Sequence, residues 1–169
     1  LSSQLSSRLD APRRALTTLL NARLVPLIDR RILAVERLLG ELGIQAPLMV
    51  VKGDGALLPA TEARARPVET ILSGPAASVI GAARLSGLAT ALVADVGGTT
   101  TDVALLDAGR PRLAVQGAVV GGNRTMVEAI ELATTGLGGD SAVRLDATGQ
   151  PLLGPARQIP LALLATTHP

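Results

Sequence analysis

From Asp10 onward, apolar residues recur three and four positions apart, at Leu16, Leu19, Leu20, Leu24, Leu27, Ile28, Ile32, Val35, Leu38, Leu39 and Leu42, with Arg13, Arg14, Arg30, Arg37 and Glu41 between them. That spacing predicts an amphipathic helix with one stripe turned to a core. Asp10 offers a capping carboxylate, Pro12 falls in the first turn where a missing N–H does no harm, and Gly43 ends the run. Pro26 lies inside it. An interior proline removes a helical hydrogen bond at about 3 kcal/mol, so a kink or break is expected in the turn before it.

The period then shortens. Leu48-Met49-Val50-Val51 reads as a strand, Lys52-Gly53-Asp54-Gly55 as a turn, and residues 61–66 as a short helix stopped by Pro67. Ser73-Gly74-Pro75 opens another helix whose body, residues 76–83, is almost all small side chains, a surface that lets a second backbone approach closely. Residues 91–96, a Gly97-Gly98 turn, residues 101–106, an Asp107-Ala108-Gly109-Arg110 turn and residues 113–120 predict a three-strand meander. Gly121-Gly122 closes it, and residues 124–132 read as a helix. Turns and short apolar stretches alternate through the tail, with no internal repeat.

Composition narrows the chemistry. The 169 residues suit one domain, and 47% hydrophobic content suffices for a core, yet there is no Phe, Tyr or Trp. The core is therefore aliphatic, and a single-stranded nucleic-acid binder, which needs stacking platforms, is disfavoured. Sixteen Lys and Arg against fourteen Asp and Glu leave a net charge of only +2, so no nucleic-acid partner is expected. The absence of Cys removes disulfides and thiolate chemistry. His168, the single histidine, sits at the tail, which argues against a Ser-His-Asp triad or a histidine metal site. With no apolar run of roughly 18 residues and no basic leader, no membrane association is expected and a cytoplasmic location is. A start at Leu1 rather than Met points to a processed or excised segment.

The densest chemical signal is Asp95-Val96-Gly97-Gly98-Thr99-Thr100-Thr101-Asp102. A turn centred between Gly98 and Thr99 sets Asp95 opposite Asp102, and facing like charges call for a compensating cation. Two glycines let the backbone approach an anion, and turn amides with threonine hydroxyls make a phosphate cradle. Phosphate beside a carboxylate-held Mg²⁺ is the arrangement of phosphoryl-transfer sites. The plainer reading is a tight hairpin with two solvated acids. Asn21, with Thr17 and Thr18 a turn before it, would reach a substrate or else bond to nearby backbone. Lys52 and Asp54 would lie near a phosphate or in an exposed turn. Asp140, crowded by glycines in Gly136-Leu137-Gly138-Gly139-Asp140-Ser141, is a further carboxylate at the cleft. Neither G-x-G-x-x-G nor a P-loop occurs.

The order of small-residue helix, strand, D-x-G-G-T-x-T-D hairpin, third strand, Gly-Gly and helix is similar to the second half of the actin and heat-shock-chaperone ATPase fold. More closely, the chain resembles the hydantoinase/oxoprolinase A-subunit family. Six stretches carry the likeness: Thr17-Thr18-Leu19-Leu20-Asn21-Ala22 with Pro26; Val51 to Gly55; Arg66-Pro67-Val68-Glu69-Thr70-Ile71-Leu72-Ser73-Gly74-Pro75-Ala76; the Asp95 to Asp102 hairpin; Gly121-Gly122-Asn123-Arg124-Thr125-Met126; and the Gly136 to Ser141 loop. Asn123 stands where members often have an aromatic residue, and near Thr135 they often have another aromatic residue or a His.

The resemblance implies an α/β fold, part of an actin-like, ribonuclease H-like ATPase with a mixed sheet. Residues 1–86 would form a helical segment, hairpin and connecting helix, and residues 87–169 the start of the second ATPase half. It implies ATP-dependent, Mg²⁺-requiring opening of a cyclic amide such as a hydantoin or 5-oxoproline, by phosphorylation of the ring carbonyl oxygen before hydrolysis. Asp95 would organise the metal, Gly97, Gly98, Thr99 and Thr100 would meet phosphate, Asp102 would support the loop, and Gly121 and Gly122 would approach the nucleotide. Asn21, Asp54 and Asp140 would face substrate. Only one of the fold's two phosphate hairpins is present, so an internal fragment with half a nucleotide site is expected. Its partners would be the remainder of its own polypeptide and a hydantoinase B-type subunit. Two other readings are a ketone carboxylase subunit and a non-catalytic ATP-binding scaffold. Without aromatics, adenine would be held by glycine backbone, threonines and Arg planes such as Arg124, or by sequence outside this chain.

Overall fold

The computed structural model describes residues 2–6, 9–160, 163, 164 and 166; His168 lies outside them. After a short helix α1 (Ser2–Leu5) comes the long helix α2 (Ala11–Glu41). Asp10 caps it as expected, its carboxylate accepting from Arg13 N at 3.1 Å. Of the kink or break expected at Pro26, the break does not occur: the helix runs through it. Pro26 leaves the Ala22 carbonyl without its helical donor, and both residues are exposed, so water can take the donor's place.

The strands β1 (Met49–Val51) and β2 (Leu57–Pro59) pair antiparallel around the Lys52 to Gly55 turn, and α3 (Ala60–Ala65) follows directly. Ile32 of α2 packs with Leu58, Ala60 and Ala63 in one small apolar cluster. Far less of the α2 stripe is covered than its period suggests. Within the helix only Thr17 and Ile32 are buried, while Leu19 and Leu42 are 66% and 64% exposed.

A 3-10 turn (Pro67–Thr70) leads through Leu72, held left-handed at φ 63°, into α4 (Ser73–Ser86), which Gly87 ends. The small side chains of α4 let it lie close on the sheet. Ala76 and Val79 share a second cluster with Ala104, Leu106 and Ile130.

That sheet is built on β3 (Ala91–Val96) and β4 (Thr101–Asp107), with Leu92 opposite Leu105 and Asp95 opposite Asp102. The third strand expected over residues 113–120 does not form as one strand: β5 is only Arg110–Pro111, ahead of that stretch, and Leu113 makes a single bridge to Ile130. Val119–Val120 (β6) pairs instead with Asn123–Arg124 (β7) around Gly121 and Gly122. Both glycines have positive φ, 55° and 78°, as a two-residue hairpin turn of this hand demands.

Residues 124–132 are not the expected helix. Their backbone is used across the chain: Ala114 N donates to Ala129 O, Ala118 N to Val127 O, Glu131 N to Arg112 O and Ile130 N to Gly53 O, each at 2.7–2.9 Å. Tertiary pairing overrides the local helical preference of this stretch. The segment continues as β8 (Leu132–Thr135) along β4, and β9 (Ser141–Leu145) with β10 (Pro151–Arg157) forms a separate hairpin. Among the described strands β3 has only β4 as neighbour, so it is an edge. The face of the sheet away from α4 is open, with Leu92 and Leu105 68% and 42% exposed.

One buried hydroxyl ties α2 to the 124–132 segment. Thr17 Oγ1 donates to Arg13 O at 2.8 Å and accepts from Met126 N at 3.0 Å. Thr17→Val keeps the shape and leaves a buried amide without an acceptor. A stability loss of about 1–3 kcal/mol is expected in urea unfolding, against little change for Thr18→Val, whose hydroxyl donates to Arg14 O of its own helix.

Candidate functional site

The D-x-G-G-T hairpin forms the exposed tip of β3 and β4. Gly97 N donates to Thr100 O at 2.9 Å, which leaves Gly98 and Thr99 as the two turn residues. Asp95 stands exposed and Asp102 half-buried, facing each other across the strands. Asp102 Oδ1 accepts from Thr134 Oγ1 at 2.6 Å, so β8 partly compensates one of the two acids. Among the described residues the amides of Gly98, Thr99 and Thr100 donate to no carbonyl.

The fold brings the Gly136 to Ser141 loop against this turn from 40 residues away in sequence. Gly139 N donates to Gly97 O at 3.0 Å and Asp140 N to Gly98 O at 2.8 Å. Thr101 Oγ1 donates to Leu137 O at 2.7 Å, and Ser141 Oγ accepts from Gly138 N at 2.9 Å. Asp140 pairs with Arg157 through Oδ2 at 2.7 Å, while its Oδ1 is buried with no hydrogen-bond partner. Sequence reasoning missed Thr134 and Arg157. Thr134 lies just past the mistaken helix and meets Asp102 only through the pairing of β8 with β4, and Arg157 reaches the loop only through the β9–β10 hairpin.

The remaining expected residues lie elsewhere. Asn21 has both ends of its amide engaged by backbone, donating to Ala65 O at 3.2 Å and accepting from Val68 N at 3.1 Å, at a cleft of about 600 Å³ between α2 and α3. Gly121 and Gly122 have no hydrogen bond to the hairpin tip among the described residues, and Arg124 is exposed on β7.

Lys52 and Asp54 are not in the exposed turn that was one of their two readings. Gly53 is buried, and a side chain there would meet Ile71 O at 2.1 Å. Lys52 Nζ lies 3.0 Å from Asp54 and 3.4 Å from Glu69. Burial works to lower the lysine's pKa, and the hydrogen bonds and charges of Asp54 and Glu69 outweigh it, so the net shift is upward.

The site's residues suit a phosphate better than a caged metal. Three unengaged amides with threonine hydroxyls beside them match anion recognition. No group of three or more His, Asp or Glu able to hold a metal occurs among the described residues. Mg²⁺ ordinarily takes one or two carboxylates and fills its shell with water and phosphate oxygens, and Asp95, alone or with Asp102, fits that role.

A family profile described as hydantoinase/oxoprolinase matches residues 14–158. The chain belongs to the hydantoinase/oxoprolinase family. It is 34% identical over 145 residues to the caprolactamase alpha subunit of Pseudomonas jessenii, covering 84% of this chain and 21% of that protein. The nucleotide-free structure of an acetone carboxylase, from work on ATP-dependent acetone carboxylation, superposes with a TM-score of 0.70 at 24% identity, over 92% of this chain and 22% of that one. The expected α/β architecture stands with that shared fold. This hydantoinase/oxoprolinase chain thus spans about a fifth of the length of either protein. No described helix is long and apolar enough to cross a membrane.

Lys52 provides a pH test of its ion pairs. Because its pKa is raised in the folded state, their stabilisation is fully present below the ordinary lysine value of 10.5 and is lost as pH climbs through the raised value. With no Tyr or Cys in the chain, Lys52 is the only side chain titrating between about pH 9.5 and 12. Thermal melts across that range should show a fall in Tm that Lys52→Met lacks.

Proposed function

We propose that this chain supplies a phosphate-binding half of the nucleotide site in an ATP-dependent enzyme that opens cyclic amides. The observation that carries the reading is the exposed hairpin turn with unengaged amides at Gly98, Thr99 and Thr100 and a carboxylate, Asp95, one strand-end away. Asp95 holds Mg²⁺ or its water, Gly97, Gly98, Thr99 and Thr100 hold phosphate oxygens, and Asp102, braced by Thr134, keeps the strands in register. Bound Mg-ATP supplies an electrophilic phosphoryl group for an amide carbonyl oxygen, which makes the C–N bond susceptible to water.

Family membership supports the substrate class, and the caprolactamase relative is named for a cyclic amide. Asp140, whose loop packs on the turn through Gly139 N and Asp140 N, is the candidate substrate acid nearest the proposed phosphate site. Asn21 and Asp54, engaged by Ala65, Val68 and Lys52, act in packing. A companion subunit of the hydantoinase B type and the remaining four-fifths of a family-length polypeptide complete the enzyme, which works in the cytoplasm.

The test is ADP release by the family-length polypeptide with its companion subunit, given hydantoin, 5-oxoproline or caprolactam. Ring-opened acid formed in step with ADP is the expected result, with Asp95→Ala lowering turnover about 100-fold or more. Bicarbonate-dependent turnover would replace this reading with a carboxylase. No turnover, with Asp95→Ala indistinguishable from the parent, would replace it with a scaffold. Tight binding and hydrolysis of Mg-ATP by the 169-residue chain alone would refute the half-site.

A further inference from the structure

We infer that Gly138 is a positioning residue, and that the Gly136 to Ser141 loop, rather than the hairpin by itself, builds the anion site. The inference rests on the phosphate reading above and specifies what shapes that site. In a trans peptide the carbonyl and the following amide point in opposite directions. Gly97 O is held by Gly139 N, so the amide of Gly98 points away from the loop. Gly98 O is held by Asp140 N, so the amide of Thr99 points away as well. Two consecutive N–H groups are thereby turned together to the side opposite the loop, which is the arrangement of an anion-binding nest.

Gly138 makes this possible by its lack of a side chain. A Cβ there would lie 2.5 Å from Gly98 C, Gly98 O and Thr99 N, so the peptide joining the two turn residues rests directly on the Gly138 backbone. None of those atoms belongs to a flexible side chain that could swing aside. Ser141 Oγ, accepting from Gly138 N, in turn fixes the loop. Gly136 offers an internal contrast, because a Cβ there meets nothing within 4 Å and its φ is not in the left-handed region.

The experiment is two-dimensional amide NMR of the 169-residue chain titrated with sodium pyrophosphate, for the parent, Gly138→Ala, Gly136→Ala, Ser141→Ala and Ser141→Thr. Without ligand, the Gly98 and Thr99 amide signals should move in Gly138→Ala and stay in place in Gly136→Ala, with signals from α2 unchanged in both. In the parent, pyrophosphate should shift the Gly98 and Thr99 amides. Gly138→Ala should weaken that binding about tenfold or more. Ser141→Ala should weaken it less, and Ser141→Thr, which keeps the hydroxyl, should restore it. Should Gly138→Ala lose its α2 signals, the serine pair decides the matter. Equal pyrophosphate affinity in the parent and Gly138→Ala, or in the parent and Ser141→Ala where the serine pair decides, overturns the inference alone. A parent with no response at Gly98 or Thr99 overturns the phosphate reading and the inference together.

Discussion

Residues 125–130 are the seam to which nearly every part of the fold is fastened. Met126 N binds the hydroxyl of Thr17 on α2, Ile130 N binds Gly53 O in the β1–β2 turn, and Ile130 itself sits 1% exposed in the cluster under α4. Two glycines make room for this passage. A Cβ on Gly53 would also crowd Ala129 at 3.2 Å, and one on Gly117, where φ is 88°, would meet Thr125 O at 2.3 Å. Thr125, Met126, Val127, Ala129 and Ile130 are buried while Glu128 and Glu131 stay exposed, so the strip carries apolar weight inward without enclosing a charge. Through it α2, the β1–β2 hairpin and the sheet become one body, and the sheet in turn carries the hairpin tip.

That seam is also where sequence reasoning failed. Residues 124–132 contain good helix formers, and nothing local indicates that their backbone bonds would go to residues 112–118 and to Gly53. Elements closed by local signals were legible: Asp10 as a cap, Gly43 as a stop, the Gly98-Thr99 turn and the register that sets Asp95 against Asp102. The hairpin's chemistry was legible for the same reason, since a two-residue turn determines which residues face each other. The meeting of that hairpin with the Gly136 to Ser141 loop was not, because the contact is made by backbone atoms that leave only glycines as a trace. Arg157 was harder still, as it reaches Asp140 from the far strand of another hairpin.

The aliphatic composition explains the shape of what is covered and what is not. Helix α4 approaches the sheet with Ala76 and Val79, and side chains of that size bury little area each, so cohesion comes from close backbone approach. Larger residues are left over. Leu19 on α2, Leu42 just past its end, and Leu92 and Leu105 on the sheet lie in the open with no aromatic ring in the chain to cover them. An exposed apolar area of this kind fits a body that spans about a fifth of its relatives' length.

The edge position of β3 gives Asp95 a second consequence, one of solubility. A strand with a free hydrogen-bonding edge and exposed Leu92 and Val96 is a template on which another extended segment can add. A charge in such a strand is a common gatekeeper against that addition. Asp95 is the only ionisable residue between Ala91 and Val96, so the carboxylate proposed above to meet a cation also guards the strand from aggregation. Neutralising it removes that guard along with the proposed cation contact, and lost turnover in such a variant has to be separated from lost soluble protein.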